Sequence, residues 1–268
     1  MCRKMKAVVE VGEKMMKKRI RICALCLAMI FLVGSCGDRE LTLEKIAYDK
    51  SAKDYTVYLK ENGEYVPYLV LSSDYNGNVL LLRKYLLPED MQYKKHSEWW
   101  TRDENGSYYE ESSVDDFLNT EFYDSLSPCT KDNILECEIE VTSKESYQED
   151  DFTTHYIPRK VFLLSAFELY IGGMEYSTAE EGKRLKYFKK MMAAEKSACL
   201  ADGKKLPYWT RTPFIYETCT VVVVGTDVIG ASTADLSLAV RPAFCMDKET
   251  VIKKSGDVIT GEQVYIIE

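Results

Sequence analysis

The chain has 268 residues, 46% apolar and 12% aromatic, with 35 Lys/Arg against 43 Asp/Glu for a formal charge of −8. That apolar content supports a sizeable core and excludes a disordered chain. Residues 1–35 hold eight of the basic and two of the acidic side chains, so the remainder carries 27 against 41, a net of −14; so acidic a body excludes nucleic acid as a partner, because phosphate binding rests on Lys/Arg.

The N-terminal stretch reads as an export signal. Lys17-Lys18-Arg19-Ile20-Arg21 is a basic region, followed by the uncharged apolar run from Ile22 to Val33. Twelve residues fall short of the roughly 20 that span a bilayer. A start at Met15 or Met16 gives this signal ordinary length. The run ends in Leu32-Val33-Gly34-Ser35-Cys36, which resembles a bacterial lipobox. It implies cleavage before Cys36, acylation of its thiol and a partner in membrane lipid, with an envelope location outside the cytoplasm; an ordinary secretory signal or an uncleaved anchor is the alternative. On this reading residues 1–35 are the signal, 36–53 a polar tether, 54–250 one globular domain, and 251–268 an extension packed on it as a strand.

The domain opens with apolar runs around Glu61-Asn62-Gly63, a hairpin signal because both turn residues tolerate positive φ. Tyr75-Asn76-Gly77-Asn78 predicts a second turn, leading into Val79-Leu80-Leu81-Leu82, whose unbroken apolarity suits a strand covered on both faces. Between Met91 and Glu111, Trp99, Trp100 and Tyr108 lie around Asn105-Gly106. Such rings stack on sugar faces or partner surfaces, or else fill the core.

Ser113 is the expected cap of a helix carrying Asp115 and Asp116 in its first turn, with Leu118 and Phe122 on one face. Ser127-Pro128 starts another helix, and Ile139 to Thr142 reads as a strand followed by an acidic loop to Thr154. Val161 to Leu164 predicts a strand running into Ser165-Ala166-Phe167-Glu168, a capping box. Thr178 to Gly203 reads as a longer helix with Leu185, Phe188, Met192 and Cys199 on its buried stripe. From Leu206 to Cys245, β-branched runs broken by Gly225-Thr226-Asp227 and Ser232-Thr233-Ala234-Asp235 predict a β-meander.

Within that stretch Trp209 and Arg211 lie two apart on an extended segment and face the same way, so they form a candidate patch; Arg241 interrupts an apolar strand and needs an acceptor. Both arginines read as a ligand pocket or as structural brackets, and buried arginine is nearly always paired. Pro242 requires a strand end or an edge. His96 and His155 have no ligand spacing, so no metal, cofactor or His-based catalytic group is expected. Besides Cys36, the exported part has Cys129, Cys137, Cys199, Cys219 and Cys245, an odd number that leaves at least one thiol unpaired internally; Cys219 and Cys245 flank the meander as a bridge or as buried free thiols.

Five segments in order carry a family likeness: Val79–Leu82 with Tyr85-Leu86-Leu87; Ser113 through Phe122; Val161–Ser165 with Glu168; Tyr208-Trp209-Thr210-Arg211-Thr212-Pro213; and Val240-Arg241-Pro242-Ala243-Phe244. The series resembles a bacterial family of domains of unknown function, DUF6273, over about residues 55–250. It departs from that pattern at Asp116-Phe117, where the family favours Arg-Trp, and in the Lys/Met-rich stretch before Trp209. The resemblance implies an α+β fold similar to the C-type-lectin-like and formylglycine-generating-enzyme-like group, with a twisted antiparallel sheet, several short helices and a C-terminal β-meander. Together with the lipobox and the aromatic stretch, it leads to the expectation of a non-catalytic envelope lipoprotein binding a glycan or another envelope protein through Trp99, Trp100, Tyr108, Trp209 or Arg211. The alternatives are a divergent formylglycine-generating-type enzyme and a structural envelope protein without a small ligand.

Overall fold

The computed structural model describes residues 40–94, 107–144, 153–171, 178–214, 220–259 and 262–267. Leu41–Glu268 form one compact unit. Its strands in chain order are Thr56–Glu61 (β1), Glu64–Tyr75 (β2), Asn78–Arg83 (β3), Met91–Gln92 (β4), Ile134–Leu135 (β5), Cys137–Thr142 (β6), Thr154–Arg159 (β7), Val161–Phe162 (β8), Ala198–Cys199 (β9), Lys205–Leu206 (β10), Tyr208–Pro213 (β11), Thr220–Val224 (β12), Ile229–Thr233 (β13), Ser237–Leu238 (β14), Ala243–Met246 (β15), Lys253–Ile259 (β16) and Glu262–Ile266 (β17). Short helices Ser113–Phe117 (α1), Tyr123–Ser125 (α2), Pro128–Asn133 (α3) and Ala193–Lys196 (α4) complete a mixed, mostly stranded α+β fold. None of the helices among the described residues is long and apolar enough to cross a membrane.

The main sheet has eight strands in the order β16-β17-β1-β2-β3-β15-β5, with β8 also on β15. The two Asn-Gly turns build its first half: Asn62 and Gly63 have φ of 48° and 88°, Asn76 and Gly77 of 52° and 87°, so β1, β2 and β3 follow each other antiparallel as predicted. β3 is central, with Val79 to Leu82 buried between β2 and β15. Pro242 sits directly before β15, where no ladder donor is needed, and its carbonyl accepts the Arg83 N–H at 2.9 Å.

Four expectations need correction. The tether does not extend to Lys53: Leu43, Ile46 and Ala47 are buried under 3₁₀ turns at Leu43–Ile46 and Tyr48–Lys50, and Thr42 bridges Val251. Their apolar side chains draw the segment into the core. The extension beyond residue 250 is not one strand but the β16–β17 hairpin, whose β17 pairs parallel with β1. The meander is incomplete: β11, β12 and β13 form it, but β14 leaves for β4 and β15 for the main sheet. The long helix from Thr178 to Gly203 is absent; a 3₁₀ turn at Lys186–Phe188, α4 and the β9–β10 hairpin occupy the stretch, and Met192 is 76% exposed.

Smaller shifts are instructive. Ser112, not Ser113, caps α1, accepting from the Asp115 N–H at 3.0 Å. Ser127 caps α3 with Pro128 at its first position. The Ser165–Glu168 box is formed, with Ser165 N–H on Glu168 Oε2 at 2.9 Å and Glu168 N–H on Ser165 Oγ at 3.0 Å, yet it closes a turn, and the described residues that follow, to Ile171, form no helix. Tyr170 turns the chain away at φ 58°.

Candidate functional site

β11 brings the Trp-x-Arg segment into the interior, with every side chain from Tyr208 to Pro213 buried. A register shift against β12 between Trp209 and Pro213 marks a local irregularity. The indole and the guanidinium go to different partners. Trp209 Nε1 donates to Met91 O at 2.9 Å and its ring packs on Tyr93 at 5.4 Å, whereas Arg211 turns to Glu168.

Arg211 and Glu168 are both fully buried and meet in a forked pair, Nη1 to Oε2 at 2.8 Å and Nη2 to Oε1 at 3.0 Å. Arg211 Nη1 also donates to Leu163 O at 2.8 Å and Nε to Glu140 O at 3.0 Å. Tyr75 donates its hydroxyl to Glu168 Oε1 at 2.5 Å. Burial would lower the Arg211 pKa, but Glu168, with Tyr75 and Glu181 adding to it, more than offsets burial and holds the guanidinium charged. Burial, then Glu168, raises the Tyr75 hydroxyl, which stays a donor. This pair joins two of the family-like segments, Val161–Glu168 and Tyr208–Pro213, and sequence reasoning had seen each half without the other.

Beside it Glu181, also fully buried, takes the Thr142 N–H at 2.7 Å, the Thr142 hydroxyl at 2.6 Å and the Thr212 hydroxyl. Burial raises its pKa despite the neighbouring Arg211. Gly182 then crosses over the pair with φ +78°; a Cβ there would stand 2.5 Å from Glu168 Oε1. Its N–H donates to Glu140 Oε2 at 2.9 Å, while Glu140 Oε1 takes the Thr154 hydroxyl at 2.6 Å.

Above this floor opens a cleft of about 490 Å³, bounded by Tyr75, Asn76, Glu140, Tyr156 and the run from Gly182 to Lys186. Tyr156, on β7, is 61% exposed. The sequence reading missed β7 and therefore this ring, because Thr154-His155-Tyr156-Ile157-Pro158-Arg159 is mostly polar with a proline. Pairing with β6 over six positions makes it a strand. Two adjoining depressions of about 610 and 510 Å³ share Glu111 and Asp116 and carry further exposed carboxylates at Glu89, Asp90 and Glu121. Asp115 between them is held by Arg159 at 2.7 Å.

The other predicted positions are placed as follows. Tyr108 is 8% exposed, with its hydroxyl donating to Lys144 O at 3.3 Å. Arg241 donates from Nε to Arg83 O at 3.0 Å and from Nη2 to Lys84 O at 3.2 Å, its guanidinium 5.7 Å from the Tyr208 ring centroid. It is therefore a bracket between the approach to β15 and the end of β3. Trp99, Trp100, Cys36 and Cys219 lie outside the described residues. Cys129, Cys137, Cys199 and Cys245 are free thiols. Cys137 and Cys245 are buried neighbours; the Cys245 thiol lowers the Cys137 pKa, while burial raises that of Cys245. His155 Nε2 lies 3.0 Å from Glu110 Oε2, and no group of three or more His, Cys, Asp or Glu among the described residues is arranged to hold a metal ion.

A family model described as a domain of unknown function, DUF6273, matches residues 76–248. The chain belongs to this family. The DUF6273 stretch contains Glu168, Arg211 and Arg241, whereas Tyr75, β1 and the β16–β17 hairpin fall outside it. Comparison with curated proteins gives no match, and neither does comparison with solved structures.

Proposed function

We propose that this DUF6273 chain is a lipid-anchored, non-catalytic envelope lipoprotein whose domain, of C-type-lectin-like architecture, binds a glycan or the surface of another envelope protein. The observation that carries the reading is the division of labour around Arg211. The strongest polar groups are sealed and already partnered inside the fold, Arg211 with Glu168 and Glu181 with Thr142 and Thr212. What faces solvent above them is a cleft with one exposed ring, Tyr156, beside hydrogen-bonding groups already fixed in place, such as Glu140 and Asn76. An apolar ring next to a few oriented polar groups is the composition of a sugar- or peptide-recognition site.

A glycan array probed with Leu41–Glu268 tests the ligand: saccharide binding should fall about fivefold or more on Tyr156→Ala, as a stacked ring is worth about 1 kcal/mol or more. Binding that survives Tyr156→Ala but is lost in Trp99→Ala or Trp100→Ala moves the site to the Met91–Glu111 segment, and silence on the array with no captured envelope protein removes the reading. The anchor is tested in cells: Cys36→Ala should abolish palmitate labelling and release the protein from membranes. Labelling that persists in that variant contradicts acylation at Cys36.

A further inference from the structure

The body of the protein is acidic, yet Lys183-Arg184-Leu185-Lys186-Tyr187-Phe188-Lys189-Lys190 holds five cations in eight residues and no carboxylate. Lys186, Lys189 and Lys190 are exposed, while Phe188 is buried and fixes the segment to the core. Tyr187 lies between Tyr48 at 5.0 Å and Tyr55 at 5.9 Å, edge to face, and Lys186 Nζ donates to Asp49 O at 3.2 Å. Beside this tyrosine trio a depression of about 230 Å³ is lined by Lys53, Asp54, Tyr55, Lys84, Tyr187 and Arg241. With Lys186 bonded beside Tyr48, cations from four separate parts of the chain thus border one aromatic face.

That face adjoins the point where the chain enters the fold. Tyr48 is seven residues from Leu41, most of them in 3₁₀ turns that rise only about 2 Å per residue. From Cys36 to Leu41 there are five residues, a reach of at most about 18 Å. We infer that this lysine–tyrosine face docks on the anionic lipid surface of the membrane that holds the acylated Cys36. The inference rests on the anchor reading above, because a tether this short keeps the entry side of the domain close to the bilayer. Tyrosine rings suit the headgroup layer, and lysines within a Debye length of an anionic surface are drawn to it. The acidic remainder is repelled, so the surface orients the domain as well as holding it. Lys183 and Arg184, from the same basic segment, also line the cleft beside Tyr156.

The test uses Leu41–Glu268 without lipid, since that unit holds the whole described core. In flotation assays it should bind vesicles of phosphatidylcholine containing about a third phosphatidylglycerol, bind pure phosphatidylcholine at least tenfold less, and be released at about 1 M salt, where screening is within ~3 Å. Combining Lys186→Gln, Lys189→Gln and Lys190→Gln should weaken binding about a hundredfold, roughly fivefold for each lysine. An unchanged melting temperature shows that the triple variant is folded. Equal binding to both vesicle types, or no loss in the triple variant, overturns the inference. Binding of a soluble polyanion such as heparin without vesicle binding also overturns it and reassigns the face to a polymer. Palmitate labelling of Cys36 without vesicle binding removes this inference alone, and vesicle binding without labelling removes the anchor, leaving a lipid-binding face without the tether that places it at the membrane.

Discussion

Arg211 and Arg241 are two buried arginines in apolar surroundings, and the fold treats them differently. Arg211 is fully enclosed and faces a carboxylate of its own, with Tyr75 and the Ser165 N–H completing the shell around Glu168. Arg241 keeps 7% of its surface, beside the depression that Lys53 and Lys84 ring, and its guanidinium meets two carbonyls and a tyrosine ring. The first is a closed ion pair joining β11 to the turn after β8; the second is a neutral-acceptor bracket at the edge of solvent. The difference lies in what each leaves behind when removed, an orphaned charge in one case and two neutral carbonyls, one of them only part-buried, in the other.

The comparison breaks most sharply at Glu168. Glu168→Ala should cost about 3–5 kcal/mol, since it strands Arg211 in the interior, and the urea midpoint of Leu41–Glu268 should fall accordingly. The double change Glu168→Leu with Arg211→Met should cost less than either single change, because no charge is stranded. A double variant as damaged as the sum of the singles would show that the pair does not act as a unit. Arg241→Ala should lose about 1–3 kcal/mol through its carbonyl hydrogen bonds and its packing on Tyr208. A loss as large as that of Glu168→Ala would erase the distinction between the two arginines.

How much of this was legible depends on whether local or distant atoms decide. The Asn62-Gly63 and Asn76-Gly77 turns, the buried β3 and the Ser127-Pro128 cap follow from backbone preferences within a few residues, and all were read correctly. The apolar spacing of Leu185 and Phe188 suggested a helix, but the Leu185 N–H is claimed by Glu168 O at 3.0 Å, far away in sequence, and Gly203 turns at φ 90° to join β9 and β10. Tertiary bonds overrode a weak propensity there. The Ser165–Glu168 box was visible as a local motif, but not its second task, because nothing near Glu168 in the chain announces Arg211. Tyr156 was hidden for a similar reason: β7 owes its existence to β6 more than to its own composition.

The mildest departure concerns Glu181, a third ionisable group beside the Arg211 pair that has hydrogen bonds from Thr142 and Thr212. Burial raises its pKa above the ordinary 4.5, so the folded state binds this proton more tightly than the unfolded chain does. The contribution is therefore favourable at and below about pH 4.5 and declines as pH rises from there toward the raised folded value. Asp115 is shifted the same way by burial, and Glu111 the opposite way by Lys144. In Glu181→Gln the amide oxygen keeps the Thr142 bonds, and the amide nitrogen donates to the Thr212 hydroxyl, which has a lone pair left after accepting the Ala166 N–H. That variant should match the parent near pH 4.5 and be the more stable of the two by pH 8, with a flatter stability–pH curve measured by urea unfolding. A parent curve that rises across the same interval by more than the variant's would show that Glu181 is ionised at lower pH than its burial implies, with Arg211 serving it as well as Glu168.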